Sequence, residues 1–230
     1  VAEEWLKEGL RLHRLGRYQG AVDAYRQAVF HKPLFPDAFY NMGIAYGSLE
    51  DGGVRKIDKA VSAFRETIRL KPDFVHAYTA LGAAYLRQNA IEDAVAVLRA
   101  AETIEPNNAF VHYYIGIACR MSSRLREAAD ALKKAMTLNP DSAQASYALG
   151  MVYFDMMLYQ EACQSLEDTL RIKPDFADAH YMLGILYNTQ IGDIEKAQAH
   201  LKKAERLYVK LEDHHHAARV RQILAENCEP

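Results

Sequence analysis

Cysteine is scarce. Cys119, Cys163 and Cys228 are the only three in 230 residues. Their odd number and wide spacing argue against a disulfide framework and against the close-set pairs of a zinc site. A reducing, cytoplasmic compartment is the expectation that follows. Long apolar runs are missing. None approaches the roughly 20 residues that span a bilayer, so no membrane insertion is expected. Neither sign of charge dominates, with 28 Lys and Arg against 30 Asp and Glu. No basic cluster offers an electrostatic footprint for nucleic acid. A signal-peptide pattern is also missing. Val1 stands where an initiator Met would, so a processed chain or a piece of something longer is expected.

Motifs that carry chemistry are absent too. There is no phosphate-binding glycine loop, no nucleophile elbow and no HExxH. Asp51-Gly52-Gly53 is glycine-rich but has no strand before it, and reads as a turn, with a partner-contacting loop as the alternative. His214, His215 and His216 point in different directions on a helix. A polar linker and first helical turn explains them better than a metal site. We expect no enzyme activity, no cofactor and no metal.

What the chain does have is a repeat. Gly9, Gly43, Gly82, Gly116, Gly150 and Gly184 follow one another at steps of 34, 39, 34, 34 and 34 residues. Ala21, Ala60, Ala94, Ala128, Ala162 and Ala197 form a second ladder, and Pro33, Pro72, Pro106, Pro140 and Pro174 a third. The five extra residues of the second repeat fall between Gly43 and Ala60, where they should lengthen a loop. One extra residue of the sixth falls between Gly184 and Ala197.

Helical spacing surrounds each glycine, as in Tyr78, Leu81, Tyr85 and in His180, Leu183, Tyr187. Glycine costs a helix about 1 kcal/mol against alanine. Six such costs at one register imply close approach of a partner helix. Tyr25, Phe64, Leu98, Leu132, Leu166 and Leu201 follow the alanines by four residues, on the second helix of each pair. Each proline ends that helix. Lys71-Pro72-Asp73, Glu105-Pro106-Asn107, Asn139-Pro140-Asp141 and Lys173-Pro174-Asp175 should join the stop to a cap for the next helix.

This pattern resembles the tetratricopeptide repeat, with its W-x2-L-G-x2-Y, A-x3-F and P positions. Repeat one shows Trp5, Gly9, Leu12, Ala21, Tyr25, Ala28 and Pro33. The resemblance implies an all-α, right-handed superhelical solenoid in a single array, 1–230. Its six helix-turn-helix repeats would be 2–35, 36–74, 75–108, 109–142, 143–176 and 177–211. A C-terminal capping helix, 213–227, would cover the last stacking face with Ala217, Val220, Ile223 and Leu224. Two departures are Val209, where the sixth proline would be, and Cys119, where an aromatic is usual and packing should loosen.

The resemblance also implies a binding module whose first helices line a concave surface. The register just after the packing aromatic reads Leu6, Tyr40, Thr79, Tyr113, Tyr147, Tyr181. With Phe110, Tyr114, Phe154 and Met182 nearby, repeats four to six should offer an aromatic, apolar groove. Tyrosine suits such a surface because it supplies large contact area with a polar tip. Packing between adjacent repeats is the alternative role for the same residues. The carboxylate clamp of chaperone-binding relatives is not expected. Its register reads Leu6, Leu10, Asn41, His76, Ala80, and only Asn41 matches. The asparagine ladder of sugar-transferase relatives fails as well: Lys7, Asn41, Ala80, Tyr114, Ala148, Met182.

Met157 and Leu158 sit at a turn tip where relatives place Gly or a polar residue. They mark either an exposed partner or self-association site, or side chains folded back on a neighbour. His112 and His180 should be partly buried packing residues, Cys119 and Cys163 inert core hydrophobes, and Cys228 exposed. Arg65, Glu66, Arg69, Lys133 and Lys134 should be solvated. The expected partner is a protein or peptide. Self-assembly into a homo-oligomer, or recruitment for a larger enzyme, are the competing readings.

Overall fold

The computed structural model describes residues 1–49 and 54–226. Among them are thirteen α-helices and no strand. The chain divides into two compact units, Val1–Ser122 and Ser123–Pro230, and each is described by itself. The first holds α1 (Ala2–Arg14), α2 (Tyr18–His31), α3 (Pro36–Gly47), α4 (Val54–Leu70), α5 (Val75–Arg87), α6 (Ile91–Ile104) and α7 (Ala109–Met121). The second holds α8 (Leu125–Leu138), α9 (Ala143–Asp155), α10 (Tyr159–Ile172), α11 (Ala177–Leu186), α12 (Ile194–Lys210) and α13 (His214–Glu226). Asp51-Gly52-Gly53, Asn227 and Cys228 lie outside the described residues.

The glycine ladder is a row of notches. A Cβ on Gly43 would lie 2.6 Å from the Phe64 ring, and one on Gly82 would lie 2.7 Å from Leu98 Cγ. On Gly184 it would lie 2.6 Å from Leu201 Cγ, and on Gly9 it would strike the Tyr25 ring. Gly150 is roomier, with Leu166 Cγ at 3.0 Å. The close approach is thus made by one large side chain, four residues past the ladder alanine, seated where the first helix has none. Leu98, Leu166 and Leu201 are fully buried there, and each such burial stabilises by about 2 kcal/mol.

The prolines leave carbonyls that the next helix satisfies. Tyr78 Oη donates to Pro72 O (2.9 Å), His112 Nε2 to Pro106 O (2.7 Å) and His180 Nε2 to Pro174 O (3.0 Å). This accounts for His112 and His180. An imidazole N–H replaces a phenol at that register, and His112 is buried outright. Ser146 is too short to follow suit and donates instead to Ser165 O at 2.8 Å.

Caps fall one residue later than the sequence indicates. The N-cap residues are Phe74, Asn108, Ser142 and Phe176, not Asp73, Asn107, Asp141 and Asp175. Asn108 and Ser142 accept helix amides. Phe74 and Phe176 cannot. Lys71 and Lys173 lie over their rings, at 4.9 and 5.2 Å, as Lys32 lies over Phe35 at 4.1 Å. A Lys-Pro-x-Phe segment is held by cation–π attraction where other repeats use a hydrogen-bonded cap.

Arg65 and Lys133 are exposed as expected, and each also makes a contact between repeats. Arg65 Nε donates to the Tyr85 hydroxyl at 2.9 Å, and Lys133 sits over the Tyr153 ring at 5.8 Å. Arg26 donates to Tyr46 Oη at 2.8 Å, and Tyr187 Oη donates to Glu167 at 2.8 Å. All four pairs are twenty residues apart. At that register Cys119 puts a fully buried thiol in place of the tyrosine, and Arg99 pairs with Glu102 at 2.8 Å. Glu66 and Arg69 do form an exposed pair at 2.6 Å.

The extra residues are absorbed locally. Helix α4 has 17 residues where α2 and α6 have 14, so part of the second-repeat insertion lengthens a helix rather than a loop. The single extra residue of repeat six becomes a π-helical turn, Tyr187–Ile191, closed by Gly192 N–H to Tyr187 O at 2.9 Å. Such turns are how an α-helix takes in one residue. Helix α13 packs on α12 and buries Ala217 and Val220, with Ile223 and Leu224 against the same cluster. His214 opens it. Asp213 accepts from His216 N at 3.1 Å, and His216 stacks on Tyr208.

Gly82→Ala and Gly184→Ala should each lower the unfolding free energy by about 1–2 kcal/mol, because a buried branch carbon must shift. In Gly20→Ala the new methyl finds Leu12 Cδ1 at an ordinary 3.5 Å. That variant should be unchanged, or more stable by up to about 1 kcal/mol. Urea unfolding of the three variants checks the contrast.

Candidate protein-binding surfaces

In the first unit, small residues on neighbouring first helices leave space between them. Gly43 and Gly47 on α3 face Ala80, Ala83 and Ala84 on α5, with Ile57 and Phe64 of α4 forming the floor. The hollow has a volume of about 410 Å³ and is open to solvent. Tyr40 closes one side, and Phe110 and Tyr114 of α7 the other. Phe110 is 66% exposed. Tyr40 is held against Phe74, ring centres 5.0 Å apart. Burial raises the phenol pKa of Tyr40, Tyr113 and Tyr114.

The second unit has a smaller hollow, about 370 Å³, lined by Tyr181, Met182 and Ile185 of α11 and by Arg219, Gln222, Ile223 and Glu226 of α13. Arg219 lies over the Tyr181 ring at 5.9 Å.

The structure divides the aromatic set expected in repeats four to six. Tyr113 and Tyr114 belong to the first unit. Tyr114 lines the larger hollow, while Tyr113 meets Tyr114 edge-on at 5.1 Å and is not one of the residues lining that hollow. Tyr181 and Met182 line the second hollow. Tyr147 stacks on Phe176 at 5.1 Å, and both it and Phe154 pack on the core cluster around Leu166 and Leu183. Those two are at least half packing residues. The larger hollow lies on repeats two to four, earlier than the sequence indicated. Ile57, Phe64 and Arg87 were missed there. The signal was a run of small residues, not large ones.

Of the clamp register, Asn41 is tied to its own helix, donating to Asp37 O at 2.7 Å. Among the described residues no group of three or more His, Cys, Asp or Glu could hold a metal ion, and no helix is long and apolar enough to cross a membrane.

Models of the tetratricopeptide repeat match residues 48–109, 120–175 and 177–208, and a TPR repeat model matches 9–49. The chain belongs to the tetratricopeptide repeat family. Among solved structures, MamA is 30% identical over 69% of this chain and 92% of its own, with a TM-score of 0.61. PilF of Pseudomonas aeruginosa superposes over 98% of this chain and 97% of its own at a TM-score of 0.77 and 16% identity. YrrB, described as a TPR protein with an unusual peptide-binding site, covers 87% of this chain and 99% of its own, at 20% identity and a TM-score of 0.59. No curated protein matches the chain.

Within this tetratricopeptide array the turn of repeat five stands out. Gly16, Asn89, Ser123 and Met157 occupy one left-handed turn position, with φ of 70°, 58°, 59° and 61°. A side chain there costs about 1–2 kcal/mol. Met157 bears that cost and is also 73% exposed, with Leu158 beside it at the start of α10. Met157 points into solvent, while Leu158 is only 36% exposed.

Packing of α11 on α12 joins two half-buried imidazoles. His180 Nε2 must carry a proton for Pro174 O, so its Nδ1 accepts from His200 Nδ1–H at 2.9 Å. Burial lowers the pKa of both below 6.5; His180 itself adds to the lowering of His200, and Lys203 and Lys196 act the same way against Asp175 and Glu167. The unfolded chain therefore binds more protons between the lowered values and 6.5, and stability falls as pH drops through that window. The urea midpoint should be lower at about pH 5 than at about pH 7.5. His180→Gln/His200→Gln should flatten that difference.

Proposed function

We propose that this array is a protein-interaction scaffold that seats a peptide, or an exposed segment of a partner protein, in the hollow between α3, α5 and α7. Tetratricopeptide proteins bind protein or peptide partners, and YrrB is one whose description names a peptide-binding site. The carrying observation is the open, apolar hollow built by Gly43, Gly47, Ala80 and Ala83 against Tyr40, Phe64 and Tyr114. Its size matches sites that hold small ligands or a few side chains. A carboxylate clamp plays no part, since Asn41 is bonded within its own helix. Tyr181 and Met182 offer a second contact surface. Tyr113, Tyr147 and Phe154 support these surfaces mainly by packing.

Peptides selected on the wild-type protein from a displayed random library should bind Ala83→Trp at least tenfold more weakly, with the thermal midpoint nearly unchanged. Undiminished binding to a folded Ala83→Trp would overturn the reading.

A second reading is self-association through Met157 and Leu158, which the exposure of Met157 in a strained turn favours. Sedimentation should then show a mass that rises with concentration and that Met157→Asp returns to the monomer. A monomer at every concentration excludes it.

A further inference from the structure

The chemistry of the larger hollow is lopsided. Among the described residues no Asp or Glu lines it, and Arg87 is its permanently charged residue. Arg87 reaches from the end of α5 toward α3, where Nη1 donates to Gly47 O at 2.9 Å. That bond fixes the guanidinium at the mouth and leaves its remaining N–H groups for a ligand. No carboxylate of the described residues pairs with it. Four other arginines of the unit are engaged: Arg11 with Glu8, Arg69 with Glu66, Arg26 and Arg65 with tyrosine hydroxyls.

The remaining polar side chains of the hollow are largely committed to the fold. Thr79 Oγ1 donates to carbonyls of its own helix, Ser48 Oγ to Ile44 O, and Asn108 caps α7. What the hollow offers a ligand is apolar surface, the edges of Tyr40 and Tyr114, the His76 imidazole, and one fixed positive charge.

We propose that the hollow selects an acidic, apolar segment: a large aliphatic or aromatic side chain enters between α3 and α5, and a neighbouring Asp or Glu carboxylate pairs with Arg87. This rests on the reading of the hollow as a docking site. Charge complementarity carries the choice of partner. A basic segment would bring its charge against an arginine beside a low-dielectric wall, and a neutral one would leave the guanidinium facing apolar surface without a counter-charge. A planar guanidinium already held by one bond loses little freedom on taking a carboxylate. The site is a single arginine at a helix end, outside the clamp register.

Three synthetic peptide pools test this, identical except that the residues flanking a central Leu or Phe are Asp and Glu, Asn and Gln, or Lys and Arg. On the wild type, the acidic pool should bind about fivefold tighter than the neutral pool at low salt. The margin should shrink at about 0.5 M salt. Arg87→Gln should erase the acidic preference and keep neutral-pool binding. Arg87→Glu should shift the preference to the basic pool. Ala83→Trp should weaken all three pools. If Ala83→Trp weakens binding but Arg87→Glu leaves the preference as it was, the acidic-segment inference falls and the docking site stands. If folded Ala83→Trp binds every pool as before, the docking site itself falls.

Discussion

Everything in this chain depends on one contact made five times among the described residues: a large side chain of the second helix seated where the first helix has a glycine. Without a Cβ at Gly9, Gly43, Gly82, Gly150 and Gly184, the paired helices close on Tyr25, Phe64, Leu98, Leu166 and Leu201. The glycines give up about 1 kcal/mol of helix propensity apiece. Full burial of the seated side chain outweighs that. With the helix pair closed this tightly, the faces turned toward the next pair are fixed in angle, and the bonds between repeats can recur.

Those bonds use charge and polar hydrogen in place of more apolar bulk. A proline carbonyl accepts a hydrogen bond from Tyr78, His112 or His180. A lysine covers the phenylalanine that opens the next helix. A charged residue anchors the tyrosine twenty positions on. Each interaction is modest, about 1 kcal/mol for a hydrogen bond or a cation–π contact. Together they give each junction its geometry, and the junction geometry positions α3, α5 and α7 around a hollow.

The repeat was legible because periodicity and helical chemistry coincide. Glycine, alanine and proline at one period leave little freedom of interpretation, and the ladder of Tyr25, Phe64 and the leucines was visible as the partner of the notch. What escaped has physical reasons. Arg65 and Lys133 are exposed as they read, but their tyrosine partners were not legible because they lie twenty residues away, beyond the reach of helical spacing. Phe74 and Phe176 do not read as caps because a ring held by lysine does the positioning. Tyr40, Tyr114 and Tyr181, with the thioether of Met182, were legible as large side chains on first helices, and they line the two hollows. The larger hollow was legible only in part: Gly47, Ala80 and Ala83 are small residues of the first helices, while Ile57 and Phe64 of α4 and Arg87 at the end of α5 gave no sign of joining them.

The two insertions show where the array has slack. From each ladder alanine to the next ladder glycine the chain always runs 22 residues, as from Ala21 to Gly43 and from Ala162 to Gly184. From glycine to alanine it runs 12 in four repeats, 17 in the second and 13 in the sixth. The constant half carries the proline, lysine and tyrosine contacts between repeats. The variable half carries the turn within a repeat, which a π-helical turn or a longer α4 can fill. Length is thus free to change inside a repeat and locked between repeats. A graft of new sequence into this molecule has natural ports at the left-handed turns of Asn89, Ser123 and Met157, and none at the prolines.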